Sequence, residues 1–187
     1  MGERMKISPT ALPGVMVVET SSFSDQRGTF ARLFCEQELA PVIQHRRIVQ
    51  INQSCTHAVG AIRGLHYQRP PHAEMKLVCC LKGRVWDVAV DLRAGSPSFL
   101  KWHAEEISPG NAHMMVIPEG CAHGFQVLES HSELLYLHTA PYEPGSEDGV
   151  RYNDPAVNIL WPLAAKDVSE RDATRALLGP VFKGIAL

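Results

Sequence analysis

The feature that most constrains this chain is its punctuation. Short runs rich in Val, Ile, Leu and Tyr recur at 15–19, 47–54, 59–67, 76–81, 85–92, 101–107, 113–117, 122–128 and 133–139. Turn residues separate them, at Arg69-Pro70-Pro71, Lys82-Gly83, Arg93-Ala94-Gly95-Ser96-Pro97, Pro118-Glu119-Gly120 and Glu129-Ser130-His131-Ser132. Each run is too short for a stable lone helix, and the Gly and Pro breaks prevent neighbours from merging. Strands that close into a sandwich or barrel are the arrangement that buries them. Helix signals are few. Residues 36–43 read as a short helix interrupted by Pro41, and 169–178 as a second with Ser169 as cap and Asp172 in its first turn. The expectation is an all-β domain over 1–187, with a core at about 12–162 and an irregular C-terminal segment, from about 157–163 to 187, that wraps the β body.

At 187 residues the chain can bury a core without staples. A net charge of −2 argues against a nucleic-acid or anionic-membrane binder. No apolar run approaches the roughly 18 residues of a membrane span. Met1-Gly2-Glu3-Arg4-Met5-Lys6 is not followed by the apolar stretch of a secretory signal. The five cysteines contain no CxxC pair and read as free, mostly buried thiols, so a cytoplasmic protein is expected.

Against this apolar background, Arg63-Gly64-Leu65-His66-Tyr67-Gln68 stands out. Burying a guanidinium, an imidazole and two further polar groups in a core strand is costly unless each is paired. Lys76 repeats the anomaly at the head of an apolar run. Arg63 and His66 are three apart and would face opposite ways in a regular strand; Gly64 permits a bulge that re-aims one of them. Alternation puts Trp86, Val88, Val90 and Leu92 on one face, packing a core, and Asp87 and Asp91 on the other. It likewise groups Leu134, Tyr136 and His138.

Three chemistries are compatible with these residues. For metal binding, His66-Tyr67-Gln68 and Pro118-Glu119-Gly120-Cys121-Ala122-His123 resemble the two half-motifs of the cupin superfamily. PxGxxH is intact, but Gln68 stands where metal-binding members carry a second His, and Glu74 is off the expected spacing, which leaves a poor transition-metal set. For acid–base work, His66 as base, Lys76 as electrostatic partner of an enolate oxygen and Tyr136 as acid fit, with a carboxylate still to be found. For anion recognition, Arg27 and Arg63 are candidates for bidentate phosphate contacts. Neither a GxGxxG nor a P-loop sequence is present.

The motifs Asp25-Gln26-Arg27-Gly28-Thr29-Phe30, Gln50-Ile51-Asn52-Gln53-Ser54, Arg63 to Gln68, Lys76-Leu77-Val78, Asp87 to Arg93, Ile117 to Gly120, Ala122-His123-Gly124-Phe125, Asn153-Asp154-Pro155 and Ser169-Glu170-Arg171-Asp172 are collinear from about residue 12 to 175. Together they resemble the dTDP-4-dehydrorhamnose 3,5-epimerases and related nucleotide-sugar 3- or 5-epimerases. That resemblance implies a cupin-type double-stranded β-helix, or jelly-roll barrel, with short peripheral helices, and a homodimer whose active site the partner subunit completes. It implies that Asp172 pairs with the base His66, that Tyr136 is the general acid, and that Lys76 lies near the sugar's keto oxygen. Arg63 and Arg27 match pyrophosphate contacts, Asp87 a buried pocket aspartate and His123 a sugar contact. Phe30, Gln50, Asn52 and Tyr142 match positions lining the nucleotide and sugar site. No metal or cofactor is implied, and the expected partner is a dTDP- or CDP-linked 4-keto sugar.

Four positions depart from the family pattern. Arg32 stands where many members carry Glu, Ala140-Pro141 replaces a polar or aromatic pair, and Cys121 replaces a common Phe or Leu. Arg32 leaves dTDP and CDP both open, and residues 138–142 leave open whether C3, C5 or both are inverted. A metal-dependent cupin oxygenase or isomerase, and a sugar-binding cupin without turnover, are the rival classes.

Overall fold

A computed structural model describes residues 4–187; the N-terminal reading that rests on residues 1–3 lies outside them. Thirteen strands and two short helices follow one another along the described residues. They are β1 (Met5–Pro9), β2 (Met16–Thr20), β3 (Ser22–Asp25), β4 (Gly28–Ala31), α1 (Glu36–Ile43), β5 (Gln50–Thr56), β6 (Ile62–Gln68) and β7 (Lys76–Lys82). After these come β8 (Val85–Asp91), β9 (Trp102–Ile107), β10 (His113–Ile117), β11 (Cys121–Val127), β12 (Ser132–His138), β13 (Glu147–Gly149) and α2 (Glu170–Ala173). Two antiparallel sheets, ordered β1-β2-β10-β7-β12-β5 and β13-β6-β11-β8-β9, face each other, and β3-β4 forms a separate ribbon. This is the expected all-β jelly roll.

Three apolar clusters explain why so many strands are buried on both faces. Between the sheets, Val78, Val85, Ala89, Met115, Phe125 and Leu134 interdigitate. On the outer face of the larger sheet, Leu39, Val42 and Ile43 of α1 cover Leu77, Cys79 and Leu137. On the outer face of the smaller sheet, Val157, Ile159, Trp161 and Ile185 cover Leu65, Val88, Val90 and Leu92. Both sides of β8 are therefore interior. Its Trp86–Leu92 face meets the C-terminal segment, and its Asp87 face looks between the sheets.

The C-terminal segment packs on the outer face of the smaller sheet and is fastened at defined points. The buried Gln126 amide donates to Leu163 O at 2.9 Å and accepts from Leu163 N at 3.0 Å. Lys166 N donates to Gly60 O at 2.9 Å, and Asp154 Oδ2 accepts from Leu178 N at 2.6 Å. Between these staples lies α2, a single turn rather than the 169–178 helix expected. Ser169 caps it as anticipated, accepting from Asp172 N. The other helix runs through Pro41 to Ile43 without a break. Strand β6 carries the anticipated bulge. His66 pairs with His123 and Arg63 with Phe125, so Gly64 and Leu65 together oppose Gly124. Gly64 has φ +116°, and a Cβ there would sit 2.6 Å from Gly124 Cα, so no other residue fits. Among the described residues no helix is long and apolar enough to cross a membrane.

Candidate active site

Between the sheets lies a cavity of about 1110 Å3. The bulge at Gly64 brings Arg63 and His66 onto the same wall of it, although their spacing in an unbroken strand would separate them. Lys76 from β7, Tyr136 from β12, Asn52 from β5, His123 from β11 and Asp172 from α2 complete the walls, and Tyr142 stands at the rim. Asp87 lies behind His123, and Gln50 fixes the rim by accepting from Tyr142 N at 3.0 Å. Arg27 and Phe30 are elsewhere. They project from the β3-β4 ribbon, exposed, with Arg27 paired to Asp25 at 2.6 Å.

His66 Nε2 donates to Asp172 Oδ1 at 2.7 Å across 106 residues of sequence. The second oxygen of Asp172 accepts from Gly64 N at 3.4 Å. Burial pushes the Asp172 carboxyl up, but the His66 contact, the Gly64 amide and the Ser169 cap outweigh it and hold the group down at about 2. An ionised carboxylate only accepts, so Nε2 carries the ring proton and Nδ1 keeps a basic lone pair.

The opposite wall has acid character. Tyr136 OH lies 3.0 Å from Ser54 Oγ, and its ring packs edge-on against His123 and parallel to His138. Burial raises the phenol well above its ordinary value, so it holds its proton at neutral pH. Lys76, 10% exposed at its side chain, donates to His66 O at 3.2 Å and pairs with Glu74 at 3.1 Å. Arg63 Nε donates to Thr56 Oγ1 at 2.9 Å. The site thus sets a base, a buried ammonium and a protonated phenol around one void, a set suited to proton transfer through an enolate.

The cupin metal positions are committed elsewhere. Gln68 is 3% exposed; its amide donates to His72 O and Pro141 O and accepts from Glu143 N. His123 Nε2 is bound to Asp87 at 2.7 Å. Among the described residues no group of three or more His, Cys, Asp or Glu is arranged to hold a metal ion.

A family model for dTDP-4-dehydrorhamnose 3,5-epimerase matches residues 9–179. The chain belongs to this family. It is 40% identical over 176 residues to the Salmonella typhimurium dTDP-4-dehydrorhamnose 3,5-epimerase, covering 93% of this chain and 96% of that one. With the Pseudomonas aeruginosa enzyme of the same name it shares 42% over 170 residues, covering 90% and 93%. The crystal structure of the Legionella pneumophila dTDP-6-deoxy-D-glucose-3,5-epimerase in complex with dTDP-4-keto-L-rhamnose superposes with a TM-score of 0.89 at 37% identity, covering 95% of this chain and 94% of that one. The family is one of epimerases, in the isomerase class.

Several residues lining this cavity, Glu74, His138, Ser54 and Glu147, were not among the expected site residues. Glu74 and His138, joined at 2.7 Å, lie beneath Lys76 and beside Tyr136. The alternation that groups His138 with Tyr136 was a usable signal. Ser54 and Glu147 carried none. Arg32, the departure on the ribbon side, is ion-paired to Glu38 of α1.

Proposed function

We propose that this chain inverts C3 and C5 of a dTDP-linked 4-keto-6-deoxyhexose, converting dTDP-4-dehydro-6-deoxyglucose to dTDP-4-dehydrorhamnose. The observation that carries the reading is the His66–Asp172 pair facing Lys76 and Tyr136 across one cavity. The C4 ketone acidifies the protons on C3 and C5. His66 Nδ1 takes one, the electron pair moves to O4, and the Lys76 ammonium stabilises the enolate. Tyr136 delivers a proton to the opposite face of the same carbon, and the charges return to rest when the phenolate recovers the proton that His66 holds. Arg63 binds the pyrophosphate, and Asn52, His123 and Tyr142 contact sugar or nucleotide. Asp87 holds His123 in place.

In this reading two molecules form a dimer in which the β3-β4 ribbon reaches the partner's cavity, adding Arg27 to the pyrophosphate and Phe30 to the nucleotide. The support is that Phe30 is 67% exposed beside Phe23 at 63%, apolar surface that association would remove from water. Free thiols at all five cysteines suit a reducing cytoplasm. Arg32 is paired with Glu38, and dTDP in the names of the relatives supports dTDP over CDP.

The deciding experiment is solvent-deuterium incorporation followed by NMR at C3 and C5, run on dTDP- and CDP-linked 4-keto sugars. Exchange at both carbons of the dTDP form is expected. Exchange at one carbon identifies a mono-epimerase, preference for the CDP form reassigns the nucleotide, and no exchange on either form ends the epimerase reading. Mixing Arg27→Ala with His66→Ala subunits tests the shared site. Each mixed dimer regains one intact cavity, so activity should return to about a quarter of wild type.

A further inference from the structure

The proton-transfer scheme uses Lys76 and Tyr136 but leaves Glu74 and His138 without a task. Both are buried polar groups, at 9% and 8% exposure, and buried polarity of this kind needs a reason. Glu74 Oε1 holds the Lys76 ammonium at 3.1 Å, and Glu74 Oε2 accepts from His138 Nδ1 at 2.7 Å. His138 Nε2 lies 3.4 Å from Asn52 Nδ2, and the His138 ring lies parallel to that of Tyr136 with centroids 6.1 Å apart. One carboxylate therefore reaches the ammonium, the cavity amide and the flank of the phenol together.

We infer that Glu74 is a positioning residue for the epimerisation, which aims Lys76 at the enolate oxygen and, through His138, fixes the orientation of Asn52. The inference rests on the proposed reaction for its kinetic part. The hydrogen-bond logic stands alone. Burial raises the Glu74 carboxyl, but the His138 and Lys76 contacts more than reverse this and keep it below its ordinary value. As an ionised carboxylate it accepts only, so His138 carries its proton on Nδ1 and offers a lone pair at Nε2. That lone pair faces the amide nitrogen of Asn52, which turns the Asn52 carbonyl oxygen away from His138. An ammonium has three donors. Glu74 and the His66 carbonyl take two in fixed directions, and the third is left for a ligand oxygen. Without the carboxylate, a flexible four-carbon stem has only one anchor.

The test combines spectroscopy with kinetics. In 15N NMR of the wild-type protein, His138 is expected to be protonated on Nδ1. Glu74→Gln presents an amide donor or a neutral acceptor there and should shift that tautomer balance. The same variant should lose about 10²-fold in kcat from the misplaced Lys76, with a smaller rise in KM from the loosened Asn52. Deuterium exchange and net inversion should fall together, because enolate formation is what suffers. His138→Asn, whose amide nitrogen can replace Nδ1, should stay within about tenfold of wild type, whereas His138→Leu should fall as far as Glu74→Gln. Nε2 protonation in the wild type, an unchanged kcat per folded molecule in Glu74→Gln, or equal losses in the two His138 variants would each overturn the inference. If the wild type turns over no nucleotide sugar, the reaction assignment fails alone, and the tautomer measurement still decides the positioning.

Discussion

Of the three histidine–carboxylate pairs that share a 2.7 Å contact at this cavity, His66–Asp172 and His123–Asp87 have opposite electrostatics. Asp172 accepts from His66 and from Gly64 N, lies under a serine cap, and is held at about 2. Asp87 is fully buried, accepts only from His123, and its second oxygen has no hydrogen-bond partner among the described residues. Burial raises the Asp87 carboxyl, and His123 offsets only part of that. Distance alone therefore does not define a catalytic dyad. The number of donors on the carboxylate and the access of the imidazole do. His66, with 31% of its side chain exposed, can meet a substrate proton, whereas His123 at 6% is locked between Asp87 and the rings of Phe125 and Tyr136.

The largest effects should separate these pairs. His66→Ala should lower exchange at C3 and C5 by about 10²–10⁴-fold, the usual range for loss of a general base. His123→Asn should leave exchange within about tenfold and act mainly on KM, because a sugar contact binds ground and transition states alike. Equal loss in the two variants would break the contrast. Tyr136→Phe sharpens it from the other wall. Inversion should fall by about 10²–10⁴-fold while exchange persists at a measurable rate, since the His66 side would still form the enolate and return a proton to the face it came from.

The same contrast marks what a linear sequence discloses. Most strands were legible because apolar runs alternate between strict turn signals, and His66, Lys76 and Tyr136 were legible as polar intrusions into such runs. The ribbon β3-β4 was not, since nearly all its residues are exposed and no buried alternation marks it. Strand β13 has three residues, too few to show a period. The predicted strand at 47–54 begins at Gln50, and the one at 59–67 begins at Ile62, because Gly60 and Ala61 are drawn into contact with the C-terminal segment around Lys166. Spacing could never reveal Asp172 as the partner of His66. Only family resemblance suggested it, because the chain travels around the barrel, is fastened by Gln126 and Gly60 before it delivers the carboxylate, and is fastened again by Asp154 after it. Gln68 shows the reverse case: its departure from a metal-ligand pattern was plain, but its work of bracing the 141–143 loop emerged only in three dimensions.

The smallest effects are those on stability, and their signs should oppose each other. The Asp172 carboxyl is depressed in the fold, so its contribution is present above the unfolded value, near pH 4, and is lost as the pH falls through about 2. A drop of that size is worth about 2 kcal/mol. Asp172→Asn should therefore be less stable than wild type by about that amount at pH 7, and the gap should close on acidification. Asp91, also held at about 2 by its hydrogen bonds to Arg93, Ser96 and Ser98, titrates in the same window, so the difference between proteins must be read rather than the wild-type curve alone. Asp87 is raised, so the wild type loses stability as the pH climbs from the ordinary carboxylate range toward the folded value. Asp87→Asn keeps an acceptor for His123 and is freed from that loss, so it should equal or exceed wild type at pH 7, by an increment that shrinks at low pH. Urea unfolding of the three proteins between pH 7 and pH 3 measures both trends. Destabilisation of the same sign and pH dependence in both variants would mean that the two carboxylates are electrostatically alike, and the division between a working dyad and a buried prop would have to be abandoned.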